Sequence, residues 1–172
     1  MYTTVLQEPR PLERRDDRSR FQSGNAEIDD WFHRFAWQNH RARNARVFVT
    51  TQEPETLGFY ALAMGAVSRS DLPEALKPGR RPDPCPVLIL ARLAVDQRAQ
   101  GRGIGAALLK DALLRAYKLS NEVGFAALLV HCANDQAREF YLSQSSHFVP
   151  CPGAENHLVL SLRGLREFID TL

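Results

Sequence analysis

The strongest constraint on this chain is a change of character between Val87 and Leu109. The run Val87-Leu88-Ile89-Leu90-Ala91-Arg92-Leu93-Ala94-Val95 is almost continuously apolar. A strand that reads apolar on both faces is a buried, central strand. Directly after it come Asp96-Gln97-Arg98-Ala99-Gln100 and then Gly101-Arg102-Gly103-Ile104-Gly105. Beyond the glycines, Leu109, Ala112, Leu113 and Ala116 recur at helical spacing. Strand, glycine- and arginine-rich loop, and helix in succession predict an anion-binding turn. The free N–H groups at a helix start, with the dipole behind them, attract a phosphate. Arg98 and Arg102 supply charge-assisted donors beside them.

Two common phosphate-binding patterns are excluded. A G-x-G-x-x-G fingerprint fails because Ala106-Ala107-Leu108 follows Gly105, and Ala106 stands sixth when the pattern starts at Gly101. A P-loop fails because no Gly-Lys-Ser/Thr occurs.

The rest of the chain predicts the frame around this loop. Asn25 is a candidate N-cap. Ile28, Trp31, Phe32, Phe35 and Ala36 then trace the apolar stripe of an amphipathic helix. Arg46–Thr51 and Leu57–Ala66 read as a hairpin, with a turn at Gln52–Thr56. The proline-rich segment Lys77–Pro86 reads as an extended connector. Phe125–His131 is a second buried strand, and Asn134 or Asp135 caps a helix through Tyr141. Phe148-Val149 and Leu158–Leu162 read as late strands, and Arg163–Leu172 as a last helix. The expected fold is α/β (α+β), a mixed central sheet of about six to seven strands flanked by helices.

Length and composition narrow the class. At 172 residues, one domain spanning 1–172 is expected. With 44% hydrophobic and 24% charged residues, disordered and fibrous classes are excluded. The longest apolar run, Phe125–Val130, is far below the roughly 20 residues of a membrane-spanning helix. The N-terminal sequence lacks the apolar stretch of a signal peptide, so no membrane association and a cytoplasmic location are expected. Cys85, Cys132 and Cys151 are odd in number and widely spaced, which argues against a disulfide framework and a metal site.

The segment Gln100-Gly101-Arg102-Gly103-Ile104-Gly105 resembles the Arg/Gln-x-x-Gly-x-Gly/Ala loop of the GNAT acetyltransferase superfamily. Asn134-Asp135-Gln136-Ala137-Arg138-Glu139-Phe140-Tyr141 resembles that superfamily's N-x-x-A-x-x-F-Y segment. Further stretches resemble the acetyltransferase toxins of bacterial toxin–antitoxin modules, the TacT and AtaT kind. They are Phe21-x-Ser23-Gly24-Asn25-x-x-Ile28-Asp29-x-Trp31-Phe32, Gly58–Ala63 and Pro86–Asp96. One departure is plain: the family's F-Y-x-x-x-G-F has no glycine here, where Phe140-Tyr141 leads to Leu142-Ser143-Gln144-Ser145-Ser146-His147-Phe148.

The resemblance implies a GNAT fold and acetyl-CoA as co-substrate. It places Gln100, Gly101, Arg102, Gly103, Ile104, Gly105 and Ala106 at the pyrophosphate, with Arg98 beside them. It places the backbone of Leu93, Ala94 and Val95 at the thioester carbonyl and pantetheine, and Asn134 and Phe140 next to the coenzyme. Tyr141 is implied as the general acid for the departing thiolate. The implied activity is acetylation of the α-amine of aminoacyl-tRNA, which blocks translation. A ribbon-helix-helix-type antitoxin and a homodimer are the implied partners.

The charge pattern fits a nucleic-acid substrate. The chain has 19 arginines and only three lysines: Lys77, Lys110 and Lys118. Arginine's planar fork suits phosphate, although codon usage in a G+C-rich genome gives the same excess. Between Trp31 and Gln52 stand Arg34, Arg41, Arg43 and Arg46 and no acid. Arg69, Arg80, Arg81 and Arg92 are candidates to extend that basic surface. Trp37, on the polar side of the first helix, is a candidate for stacking on a base or for a protein contact. Two other readings stay open: an enzyme acting on a small amine or protein N-terminus, and a non-catalytic domain that binds coenzyme A or a partner.

Overall fold

In a computed structural model, which describes residues 4–77, 79 and 81–172, twelve helices and strands follow one another. They are β1 (Arg10–Pro11), α1 (Ala26–Arg34), α2 (Ala36–Ala42), β2 (Arg46–Gln52), β3 (Glu55–Val67), β4 (Cys85–Val95), α3 (Ile104–Ser120), β5 (Ala127–His131), α4 (Asp135–Gln144), β6 (Val149–Cys151), β7 (Ala154–Ser161) and α5 (Leu162–Asp170). Short 3-10 turns at Arg69–Asp71, Glu74–Leu76 and Gln97–Ala99 complete the path. The strands form one seven-stranded sheet in the order β1-β2-β3-β4-β5-β7-β6. β4 and β5 pair in parallel, whereas β2–β3, β5–β7 and β6–β7 pair antiparallel. The expected α/β architecture is the one observed.

The chain forms two compact units, Met1–Leu62 with Arg92–Asp111, and Ala63–Ala91 with Ala112–Leu172. β3, β4 and α3 each run through both.

The first unit is built on aromatic stacking. Phe32 of α1 is fully buried and stacks on Phe59 of β3, with ring centroids 4.2 Å apart. Phe21 meets both rings edge-on, at 4.9 Å and 5.4 Å. Leu12, Ala36, Val47, Val49, Ala61 and Ala94 close the same core. Asn25 caps α1, its side chain accepting from the Ile28 amide at 3.1 Å. The stripe expected as one helix is two, because Phe35 leaves helical geometry at φ −120°, ψ −18°. The break turns Ala36 and His40 inward together.

His40 fixes the return from α2 to β2. Its ring is buried, and Nδ1 accepts the Val47 amide at 2.9 Å. Burial, helped by Arg46 and Arg43, pushes its pKa down to about 4. The ring is therefore neutral near pH 7, which an acceptor role requires.

The second unit packs Leu72, Leu76, Cys85, Val87, Ala127, Leu129, Cys151 and Val159 around β4, β5 and β7. All three cysteines are free and buried. The register runs Leu88↔Leu128, Ile89↔Leu129 and Leu90↔Val130. β7 begins earlier than its apolar residues suggest, because Ala154 and His157 pair with Cys151 and His131 and the exposed Glu155 and Asn156 lie between them. The missing glycine after Tyr141 is met by a side chain. The Ser145 hydroxyl accepts the His147 amide at 3.1 Å, so the turn needs no left-handed residue.

Two predictions follow from these contacts. Phe32→Ala empties the centre of the stack and is expected to cost about 3–5 kcal/mol, read by urea unfolding. His40 has a folded pKa below its unfolded value near 6.5. Its contribution is therefore intact above pH 6.5 and lost as pH falls toward 4, by up to about 3 kcal/mol. Urea midpoints between pH 7 and 4 are expected to fall less in His40→Gln than in the parent.

Candidate active site

The loop between β4 and α3 is held by one buried carboxylate. Asp96 is 1% exposed. Its oxygens accept the Gln22 amide at 3.0 Å and the Arg98 amide at 2.8 Å. They also accept Arg98 Nε at 2.8 Å and Nη2 at 3.1 Å. Burial pushes this carboxyl up, but the Arg98 guanidinium and the two amides outweigh it and hold the pKa below the usual value. The Asp96 amide donates to Leu57 O at 2.8 Å, tying the end of β4 to β3.

The two loop arginines sit in different fields. Arg98 also reaches Glu55 Oε2 at 2.8 Å, so two carboxylates share its charge. Its hydrogen bonds to the Asp96 and Glu55 carboxylates raise its pKa further. Arg102 is exposed and donates to a neutral acceptor, Gln52 Oε1, at 3.3 Å from both terminal nitrogens. Gln100 turns its amide inward, to Ser23 O at 3.0 Å and Val95 O at 3.1 Å.

The glycines let the backbone turn here. Gly101 and Gly103 have φ of 83° and 78°, where a side chain is strained. No atom lies within 4 Å of a Cβ built on either, so the loop is open on that side. Helix geometry leaves the first-turn amides of Ile104, Gly105 and Ala106 without intrahelical acceptors. The 17 residues of α3 place a macrodipole behind them. Gly58 lets this turn close on β3, since a Cβ there would stand 2.8 Å from Leu108 Cδ1 and 3.3 Å from Ile104 Cγ2. The loop thus offers an anion a ring of donors and one cation, Arg102, that meets a neutral acceptor rather than a carboxylate. Of the strand residues named with it, Ala94 is core, Leu93 and Val95 are half-buried, and Val95 O is already taken by Gln100.

Asn134, Phe140 and Tyr141 lie in the second unit, on α4 and its cap. Asn134 accepts the Ala137 amide at 2.8 Å. Tyr141 is buried between Phe140 and Phe148, at centroid distances of 5.3 Å and 5.9 Å. Burial first, and then Cys132, raises its phenol above the ordinary value of 10. It is protonated throughout the physiological range and able to donate.

The arginine candidates divide as well. Arg34, Arg41, Arg43, Arg46 and Arg92 belong to the first unit. Arg34 pairs with Asp30 at 3.4 Å, and Arg46 donates to His40 O at 3.2 Å. Arg41 and Arg43 are exposed. Arg92 lies over the Trp31 ring, 4.1 Å from its centroid. In the second unit, Arg69 and Arg81 donate to the Lys77 and Leu76 carbonyls and brace the connector. Arg80 lies outside the described residues. Trp37 is half-buried, packs on the first core and stacks over His40.

Residues 43–144 match the acetyltransferase (GNAT) domain. The chain belongs to the GNAT acetyltransferase family. It is 40% identical over 161 residues to a protein of Mycobacterium tuberculosis named as a tRNA-acetylating toxin. That match covers 94% of this chain and 95% of the relative. Among solved structures, it is similar to AtaT complexed with acetyl-methionyl-tRNAfMet, at 27% identity and a TM-score of 0.84 over 95% of this chain and 98% of that one. It is similar too to a tyrosine-to-phenylalanine mutant of AtaT bound to the C-terminus of the antitoxin AtaR and acetyl-CoA. There the identity is 26% and the TM-score 0.78, over 96% and 99% of the two chains.

Sequence reasoning missed Glu55, Gln52 and Gln22, which lie far from the loop in sequence. Asp96 itself carried a local signal, an aspartate at a strand end two residues before an arginine. Asp96→Asn removes the charge that gathers the loop. It is expected to cost about 1–3 kcal/mol in urea unfolding and to raise KM for acetyl-CoA several-fold in a steady-state assay.

Proposed function

We propose that this protein transfers the acetyl group of acetyl-CoA to the α-amine of an aminoacyl-tRNA and so acts as a translation-blocking toxin. The observation that carries this reading is the 40% identity, over 94% of the chain, to the M. tuberculosis tRNA-acetylating toxin. In this reading residues 1–172 work as one GNAT domain in the cytoplasm, as a homodimer restrained by a ribbon-helix-helix antitoxin. The AtaT relative bound to its antitoxin supports restraint by an antitoxin; its ribbon-helix-helix type and the other points rest on the family resemblance.

The residues take the following roles. The amides of Ile104, Gly105 and Ala106, with Gly101, Gly103 and the Arg102 guanidinium, meet the pyrophosphate. Arg98 and Gln100 hold the loop in shape, since their donors are already spent on Asp96, Glu55 and backbone carbonyls. Leu93 and Ala94 line the thioester arm, and Asn134 and Phe140 border it from α4. The substrate amine attacks the thioester carbon, a C–N bond forms and the C–S bond breaks. Tyr141 gives its phenolic proton to the departing sulfur and is reprotonated as the amine sheds a proton.

Little general-base assistance is needed. A free α-amine has a pKa of about 7.7–8.0, and the neighbouring ester lowers it further. Much of the substrate is already neutral near pH 7, unlike a lysine side chain at about 10.4. Arg41, Arg43 and Arg46, none of them paired with a carboxylate among the described residues, support electrostatic capture of the tRNA backbone; Arg34, paired with Asp30, adds little.

The deciding experiment is transfer of labelled acetyl from acetyl-CoA to a pool of charged tRNAs, parent beside Tyr141→Phe. Label on aminoacyl-tRNA is expected for the parent, with kcat about 10²-fold lower or less in the variant. No transfer to any charged tRNA by protein that binds acetyl-CoA sends the search to small amines and peptides.

A further inference from the structure

Arg92 is held differently from the arginines around it. Arg98 meets two carboxylates, Arg34 meets Asp30 and Arg46 meets a carbonyl. The Arg92 guanidinium, half-buried on β4, lies 4.1 Å above the Trp31 ring. Among the described residues an indole, and no carboxylate, is its partner. Burial lowers its pKa, and the Glu27 carboxylate opposes that only through its field.

The platform beneath it is rigid. Trp31 stacks on Phe59 with rings 14° apart, and Phe59 stacks in turn on the fully buried Phe32. The cation is therefore oriented by three successive rings rather than by a counter-ion. The cover over β4 also lifts at this point. Val87, Leu88 and Leu90 are buried, whereas Ala91, Arg92 and Leu93 are half-exposed. A desolvated cation with a fixed plane and unspent donors suits a bidentate anion. Stacking on Trp31 leaves the edge of the fork, where its N–H groups point, for that anion.

We propose that Arg92 on Trp31 is a receptor for a single phosphate of the nucleic-acid substrate, near the 3′ end that carries the aminoacyl ester. The proposal rests on the tRNA reading above and deepens it. Exposed Arg41 and Arg43 act at long range and without geometry; Arg92 fixes one phosphate and so sets where the acceptor end lies. Acetyl-CoA also carries phosphates, and the experiment separates the two sources.

The test compares the parent, Arg92→Gln and Arg92→Lys as full-length proteins in acetyl transfer to charged tRNA. For Arg92→Gln, KM for charged tRNA is expected to rise about tenfold, with KM for acetyl-CoA and kcat within about twofold. The slope of log(kcat/KM) against log salt is expected to shrink by about one phosphate's worth. Arg92→Lys restores the charge without the planar fork and is expected to recover the slope but only part of the KM. A rise in KM for acetyl-CoA instead, an unchanged salt slope, or a drop in melting temperature with both KM values raised overturns the proposal. If the parent acetylates no charged tRNA, the enzymatic reading fails and Arg92 is tested alone. Trp31 fluorescence in Trp37→Phe protein is then titrated with a short single-stranded RNA. A change that Arg92→Gln abolishes supports the receptor, and no change in the Trp37→Phe protein overturns it.

Discussion

Asp96 is the residue on which the loop between β4 and α3 depends. It stands where β4 ends, and a strand end leaves polar backbone in need of partners. A carboxylate there accepts from Gln22, from the Arg98 amide and from the Arg98 side chain at once. Its charge draws in a guanidinium, and that guanidinium draws in Glu55 from the tip of the β2–β3 hairpin. Three stretches of chain that are remote in sequence thus converge on one buried oxygen pair. The anion site is the consequence. Once the backbone after Ala99 is pinned, Gly101 and Gly103 can turn it so that α3 opens with free amides facing out.

The same convergence sorts the positive charge. A loop that binds phosphate needs cations, but a cation already neutralised contributes little to an anion. Arg98 is neutralised twice over and serves the fold. Arg102 is held only by the neutral amide of Gln52 and keeps its field. A comparable division runs through the first unit, where Asp30 takes Arg34 and the His40 carbonyl takes Arg46. Arginine count alone therefore overstates the basic surface. What an arginine can do depends on whether a carboxylate, a carbonyl or a ring has already claimed it.

This explains what the sequence could and could not show. Periodicity and caps are local, and they revealed the buried β4 run, the loop, the Asn25 and Asn134 caps and the order of strands and helices. The break at Phe35 was hidden because its residue continues the apolar stripe while its backbone does not. The start of β7 is hidden because Glu155 and Asn156 extend the strand with exposed polar side chains. Glu55 was invisible as a site residue because its partner lies 43 positions away. The glycine absent after Tyr141 is not needed, because Ser145 is extended there and its hydroxyl accepts the His147 amide.

Burial of Tyr141 raises a question of proton affinity that the surroundings answer. A phenol pushed above 10 is a weak acid, and a coenzyme thiol in water has a pKa of about 8.5. On those values the proton would not leave the tyrosine for the thiolate. Under the proposed role, however, both groups meet in the same poorly solvated medium, which disfavours each anion. The Cys132 thiol, whose field reaches Tyr141, records that effect: burial raises its pKa. A thiolate formed beside Tyr141 gains basicity from the same desolvation that holds the phenol protonated. Under the proposed role, the gap that separates the two in water narrows.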